Sequence, residues 1–221
     1  MLRRRPAVPP LLLLAALVAS SSAVAHGQDS RWSLGVDGLY LAADDGRAAV
    51  GAAAGAPAGA TYGIDGDGVG FGLALGYRAT RRFGVELELA TVDLDVAVPS
   101  ATPGAARADT ESASFELYLM EFRWHLVPER RFDLTLGALV AMTKLADVRF
   151  PTAAGGSAKL TFDDDVGFGL ALGVDWPLGG DGGWLLRGRL RYLRTILESD
   201  SGAQDLDLDP LLLSVGVGYR F

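Results

Sequence analysis

From Trp32 to the last residue, apolar side chains recur at every second position in run after run. A period of two puts alternate residues on opposite faces of an extended chain, so each run reads as a β-strand with one apolar face. Val69, Phe71, Leu73, Leu75 and Tyr77 alternate with Gly70, Gly72, Ala74 and Gly76. Val166, Phe168, Leu170, Leu172, Val174 and Trp176 alternate with Gly167, Gly169, Ala171, Gly173 and Asp175. Eight such runs are expected: 32–42, 69–78, one starting at Phe83, 115–127, 132–145, 166–176, 184–197 and 211–221. The connections 79–82, 128–131 and 177–183 are short, whereas 43–68, 99–112, 146–164 and 198–210 are long. Short turns at one end and long loops at the other are the pattern of a transmembrane β-barrel. The expected fold is therefore all-β: an eight-stranded antiparallel up-and-down barrel, with the turns and both termini in the periplasm.

Composition narrows the function classes. The formal net charge is −7, and without Arg3, Arg4 and Arg5 it becomes −7 − 3 = −10, which argues against nucleic acid as a partner. The absence of cysteine excludes a disulfide scaffold, thiol catalysis, a cysteine-ligated zinc and an N-terminal lipid anchor on Cys. Beyond the N-terminus no apolar run approaches the roughly 20 residues of a membrane helix. The N-terminus itself reads as an export signal: three arginines, an apolar stretch over 11–18, then small residues ending Ala23-Val24-Ala25. Cleavage after Ala25 is expected, separating a signal peptide (1–25) from one barrel domain (26–221) that begins at His26.

A soluble eight-stranded barrel hides its apolar face inside, and a membrane barrel turns that face outward to lipid. The tryptophans favour the membrane. Trp32, Trp124, Trp176 and Trp184 all fall at strand ends beside the N-terminus or a short turn, with Tyr77, Phe83, Phe132, Tyr219 and Phe221 at the same level. That is an interfacial girdle; Tyr40 and Tyr118 stand near the opposite rim. The terminal Phe221 closes an alternating strand, as expected of a substrate of the barrel assembly machinery. Outer-membrane lipid and lipopolysaccharide are the expected surroundings.

Several stretches resemble the OmpW family of small outer-membrane proteins. The similar residues are Trp184-Leu185-Leu186, Arg191-Tyr192, Asp207-Leu208-Asp209-Pro210 and the ending Gly216-Val217-Gly218-Tyr219-Arg220-Phe221. Gly173-Val174-Asp175-Trp176, Gly137-Ala138 with Val140 and Thr143, and Gly84-Val85-Glu86-Leu87 with Ala90-Thr91 belong to the same ordered set. The likeness runs from about Gly68 to Phe221; the Ala/Gly-rich first loop and the arginines at 187 and 189 depart from the family pattern. The resemblance implies a barrel with a narrow hydrophobic channel opening outward, proposed to pass small apolar molecules into the membrane.

Eight strands enclose little more than their own side chains, so a wide aqueous pore is not expected. At about 2.5 Å of climb per residue, Glu86, Glu88, Glu121, Arg123, Arg187, Arg189 and Arg191 sit at matching heights in the turn-side half. A charged plug of these residues, with Asp175, is expected. The same parity points Phe115, Leu117, Leu119, Leu139, Leu193, Leu197, Leu206, Leu208 and Leu212 inward in the outer half, suggesting an apolar cup that binds a small apolar solute. The alternative is a β-bulge that turns these leucines to lipid. The third strand shows the ambiguity, since its apolar set moves from odd to even positions at Val92, Leu94 and Val96.

Other function classes have less support. An enzyme would need a histidine near a nucleophile or carboxylate. The chain holds only His26 and His125, and neither sits in such a pattern. No cofactor or metal motif is found, and the acids at 163–165, 205, 207 and 209 fit no defined calcium loop and read as solvated. A structural or adhesive barrel acting through its loops is the competing reading, and loop deletion would discriminate.

Overall fold

The structure is a computed structural model that describes residues 31–43, 47–49, 61–64, 67–98, 109–127, 132–151, 157–179, 183–197 and 206–221. The expected signal peptide and His26 lie outside the described residues. The strands are β1 (Trp32–Ala42), β2 (Arg47–Ala49), β3 (Thr61–Ile64), β4 (Gly68–Arg78), β5 (Phe83–Val98), β6 (Asp109–His125), β7 (Asp133–Leu145), β8 (Val148–Pro151), β9 (Ser157–Leu160), β10 (Asp165–Pro177), β11 (Trp184–Leu197), β12 (Leu206–Leu208) and β13 (Leu211–Arg220). Eight of them form a ring in the order β1-β4-β5-β6-β7-β10-β11-β13, closed by β13 on β1, every contact antiparallel. Closure removes the free edges that would otherwise leave backbone groups unpaired in lipid. No described helix is long and apolar enough to cross a membrane, which says nothing about crossing by strands.

The turn end follows the sequence pattern closely, and the loop end does not. The fourth run begins at Asp109 rather than 115 and stops at His125, so β5 and β6 pair without interruption from Phe83↔Trp124 to Val98↔Asp109. Short strands also occupy connections expected to be plain loop. β2 pairs β3, which continues onto β5 at Ile64↔Val96, while β8 pairs β9 and β12 pairs β11. These segments of three or four residues are too short to show a period. Pairing there satisfies backbone donors and acceptors that the neighbouring long strands leave free.

Strand β5 shows how the surroundings set the pattern. Its register with β4 and β6 continues without slip, so even-numbered residues face inward throughout. Below Thr91 the inward residues are Glu86, Glu88 and Ala90, with Leu87 and Leu89 outside; above it Val92, Leu94 and Val96 are buried, with Asp93 and Asp95 exposed. The phase does not flip. The apolar set changes side because the outer face leaves the hydrocarbon and meets water.

The outward apolar face is broad: Leu170, Phe168 and Val69 are each more than 60 % exposed around the barrel wall. Water would not tolerate such a patch, and lipid requires it. All four tryptophans point outward at the turn end. Trp32 rests on Tyr77 at 4.7 Å between ring centres, Trp184 on Tyr219 at 5.2 Å and Phe132 on Trp176 at 6.4 Å. On β1 the outward aromatics Trp32 and Tyr40 are 40 − 32 = 8 residues apart, and Trp184 and Tyr192 on β11 repeat the spacing. Eight steps climb about 20 Å, close to the height of an outer-membrane apolar band.

Candidate functional site in the barrel interior

The inner face divides into two zones. The turn-side zone is ionic. Arg123 donates from Nε to Glu121 Oε1 at 3.0 Å and from Nη2 to Glu86 Oε1. Arg187 Nη2 donates to the same Glu86 oxygen at 2.7 Å and stands 3.6 Å from Asp37 Oδ2. Arg191 donates to Glu88 Oε2 at 2.6 Å and to Glu121 Oε2 at 3.1 Å, and lies 3.7 Å from Glu86. Arg189 turns to its neighbouring strand, meeting Asp175 Oδ1 at 2.5 Å and the Val174 carbonyl at 3.0 Å. All nine of these residues are at most 5 % exposed. Charge-assisted pairs at such burial are strong and directional, and losing one partner leaves a buried charge.

Small residues make this layer possible. On β1, a Cβ at Gly35 would lie 1.6 Å from Arg187 Nη1; on β4, one at Gly72 would lie 2.6 Å from Glu88 Oε1. The long ionic side chains therefore lie across bare backbone, which only glycine allows. β5 and β11 are four strands apart in either direction round the ring, so carboxylates on one wall meet guanidiniums on the other.

Asp37 and the pair Arg78 and Asp133 escaped the sequence reading. Asp37 shares the inward parity of Gly35 and Leu39, a signal that was available. At the turn end, Arg78 and His125 gather on Asp133. Arg78 donates to Asp133 Oδ2, and His125 Nδ1 lies 2.8 Å from that oxygen and 2.6 Å from Arg78 Nη2. A cavity of about 20 Å³ opens beside this cluster, lined among others by Arg31, Arg123, Asp175 and Arg220. It has room for about one water molecule, and ordinary solutes are larger.

The loop-side zone is apolar. Leu117 and Leu193 are 0 % exposed, Leu212 is 1 %, Leu139 and Leu208 are 2 % and Leu119 is 3 %. They belong to a buried cluster of 20 hydrophobic residues. Leu206 lies in β12 with its side chain outside the described ones, as does that of Leu197. The cluster includes Ile64 of β3, Val148 of β8, Phe162 and Leu208 of β12, all from connecting segments. These close the interior from the loop end, so the leucines pack against their neighbours instead of standing round an open cup. The boundary between zones runs through cross-strand pairs that mix both characters: Leu39↔Ser214, Glu88↔Leu119, Glu121↔Leu139 and Arg191↔Leu212.

A family model described as the outer membrane protein β-barrel domain matches residues 11–221. The chain belongs to this family. No curated protein matches the sequence. Among solved structures, the outer membrane protein OprG from Pseudomonas aeruginosa superposes with a TM-score of 0.61 at 16 % identity, over 87 % of this chain and 96 % of its own. The outer membrane protein AlkL, solved in lipid bilayers, gives 0.60 at 16 % identity over 100 % and 97 %, and Neisserial surface protein A gives 0.56 at 13 % over 86 % and 97 %. These likenesses concern the fold. Outer-membrane residence follows from the family.

Proposed function

We propose that this barrel takes small apolar molecules from outside the cell into its loop-side interior and releases them sideways into the outer membrane. The observation that carries this reading is the zoning of the inner face: 20 buried apolar residues stand above a sealed ionic layer. In a plain structural membrane barrel the inner face is polar along its height. The resemblance of strands β4 to β13 to the OmpW family supports the same class of solute.

In this orientation the long loops face outward, the short turns and both termini face the periplasm, and Phe221 engages the assembly machinery. Intake requires Ile64, Val148, Phe162 and Leu208 to part from the leucines beneath them. Passage downward would push apolar atoms between desolvated ion pairs, and breaking one such pair costs several kcal/mol. Lateral movement into lipid avoids that cost.

The test combines uptake and conductance. Cells carrying the barrel should take up a small apolar compound faster than cells without it, while the refolded barrel conducts few ions. Leu119→Asp and Leu208→Asp should abolish the gain. Unchanged uptake in these variants, in a correctly inserted barrel, would assign the interior to structure and the function to the loops.

A further inference from the structure

The ionic layer does not balance. Asp37, Glu86, Glu88, Glu121 and Asp175 are five buried acids, against Arg123, Arg187, Arg189 and Arg191, four buried bases. The surplus falls on Asp37. Both of its oxygens lack a hydrogen-bond partner, although it is 1 % exposed. The cation beside it, Arg187 at 3.6 Å, already donates to Glu86. A buried carboxylate without a donor is costly, so this position calls for a positive charge or a hydrogen-bond donor.

The neighbours of Asp37 repeat the demand. Glu88 reaches over Gly72, which pairs with Asp37, and its Oε1 is also unpartnered. Ser214 lies on β13 one inward step above Gly216, the other partner of Asp37, and its buried hydroxyl is unpartnered too. On β11, which pairs with β13, Arg189 Nε and Arg191 Nη1 are buried donors without acceptors. Directly above stand Leu39 and Leu212 of the apolar cluster. The packed apolar cluster thus lies over a polar floor in which acids outnumber bases by one.

Building on the conduit reading, we propose that this floor binds the head of an amphiphilic solute and selects hydrogen-bond-donating heads. Primary ammonium is preferred, hydroxyl follows and carboxylate is rejected. An ammonium meets the surplus charge. A hydroxyl donates to Asp37 without altering the charge. A carboxylate raises the surplus from one to two. At the loop end, exposed acids outnumber exposed bases nine to four among the described side chains, which favours the approach of cations.

The experiment uses four six-carbon probes: hexane, hexanol, hexylammonium and hexanoate. Uptake is measured in cells carrying wild-type or Asp37→Asn barrel, and in cells carrying none. Binding is measured separately by amide shifts of the purified barrel in nanodiscs, with empty nanodiscs as control. Hexylammonium should bind at least about tenfold more tightly than hexanoate and shift Leu39, Gly72, Ser214 and Gly216. Asp37→Asn removes the surplus charge and should cut that preference to about twofold, with the amide spectrum of the variant in nanodiscs checking that the barrel is folded. Equal binding of the three headed probes, or a preference that survives Asp37→Asn, overturns the proposal. Failure of hexane to gain from the barrel overturns the conduit reading instead, and the nanodisc shifts still decide the floor.

Discussion

The two zones of the interior are equally buried but closed by different physics. Glu86 and Arg187 are held by directed, charge-assisted bonds to named partners. Leu117 and Leu193 are held by contact alone, which has no preferred direction. Ion pairs resist an apolar guest because separation leaves charges uncompensated in a dry interior. An apolar cluster can exchange contacts with its own side chains for contacts with a guest at little cost. The difference teaches that one barrel can be sealed at one end and yielding at the other without changing strand number or width.

The largest expected effect tests the sealed zone. Glu86→Ala strips Arg123 and Arg187 of a shared acceptor and should lower stability by about 3–5 kcal/mol in a urea titration of the barrel refolded in bilayers. Leu117→Ala tests the yielding zone. It leaves a cavity in the apolar cluster and should cost about 3 kcal/mol in the same titration, with conductance unchanged. Gly35→Ala sharpens the distinction, because its new methyl group occupies the place of Arg187 Nη1. A loss of about 1–3 kcal/mol is expected, together with raised ionic conductance if Arg187 is driven from Glu86. Lys159→Ala sets the lower bound. Its pair with Asp147 at 2.6 Å is half exposed, so removal should cost less than about 1 kcal/mol and the effect should fade in salt. A result in which Lys159→Ala rivals Glu86→Ala would break the comparison.

The zoning was partly legible before any coordinates. Parity separates Glu121 and Arg123 from Phe122 and Trp124 on β6, and Arg187 to Arg191 from Leu186 to Tyr192 on β11. Parity is local and survives as long as no bulge intervenes, and β5 keeps its phase through the whole of its length. Which acid meets which arginine was not legible. Arg189 bonds Asp175 on the adjacent strand, whereas Arg191 reaches Glu88 across the ring, though both arginines share one strand and one face. Arg189 lies flat over the bare backbone of Gly173 on the strand that carries Asp175, and Gly72 leaves room for the carboxylate of Glu88 that Arg191 meets. The loop-end cap was also hidden, since Ile64, Val148, Phe162 and Leu208 come from segments too short to show a period.

By itself the sequence determined the eight long strands, their inward and outward faces and the aromatic belt, because each rests on contacts between near neighbours and on one solvent per face. Tertiary structure alone decided the closure of the apolar zone, the pairing of the ionic one and the lack of a hydrogen-bond donor to Asp37. Those depend on residues such as Arg187 and Glu86, 101 positions apart in the chain, brought together only when the ring closes and water is excluded from its axis.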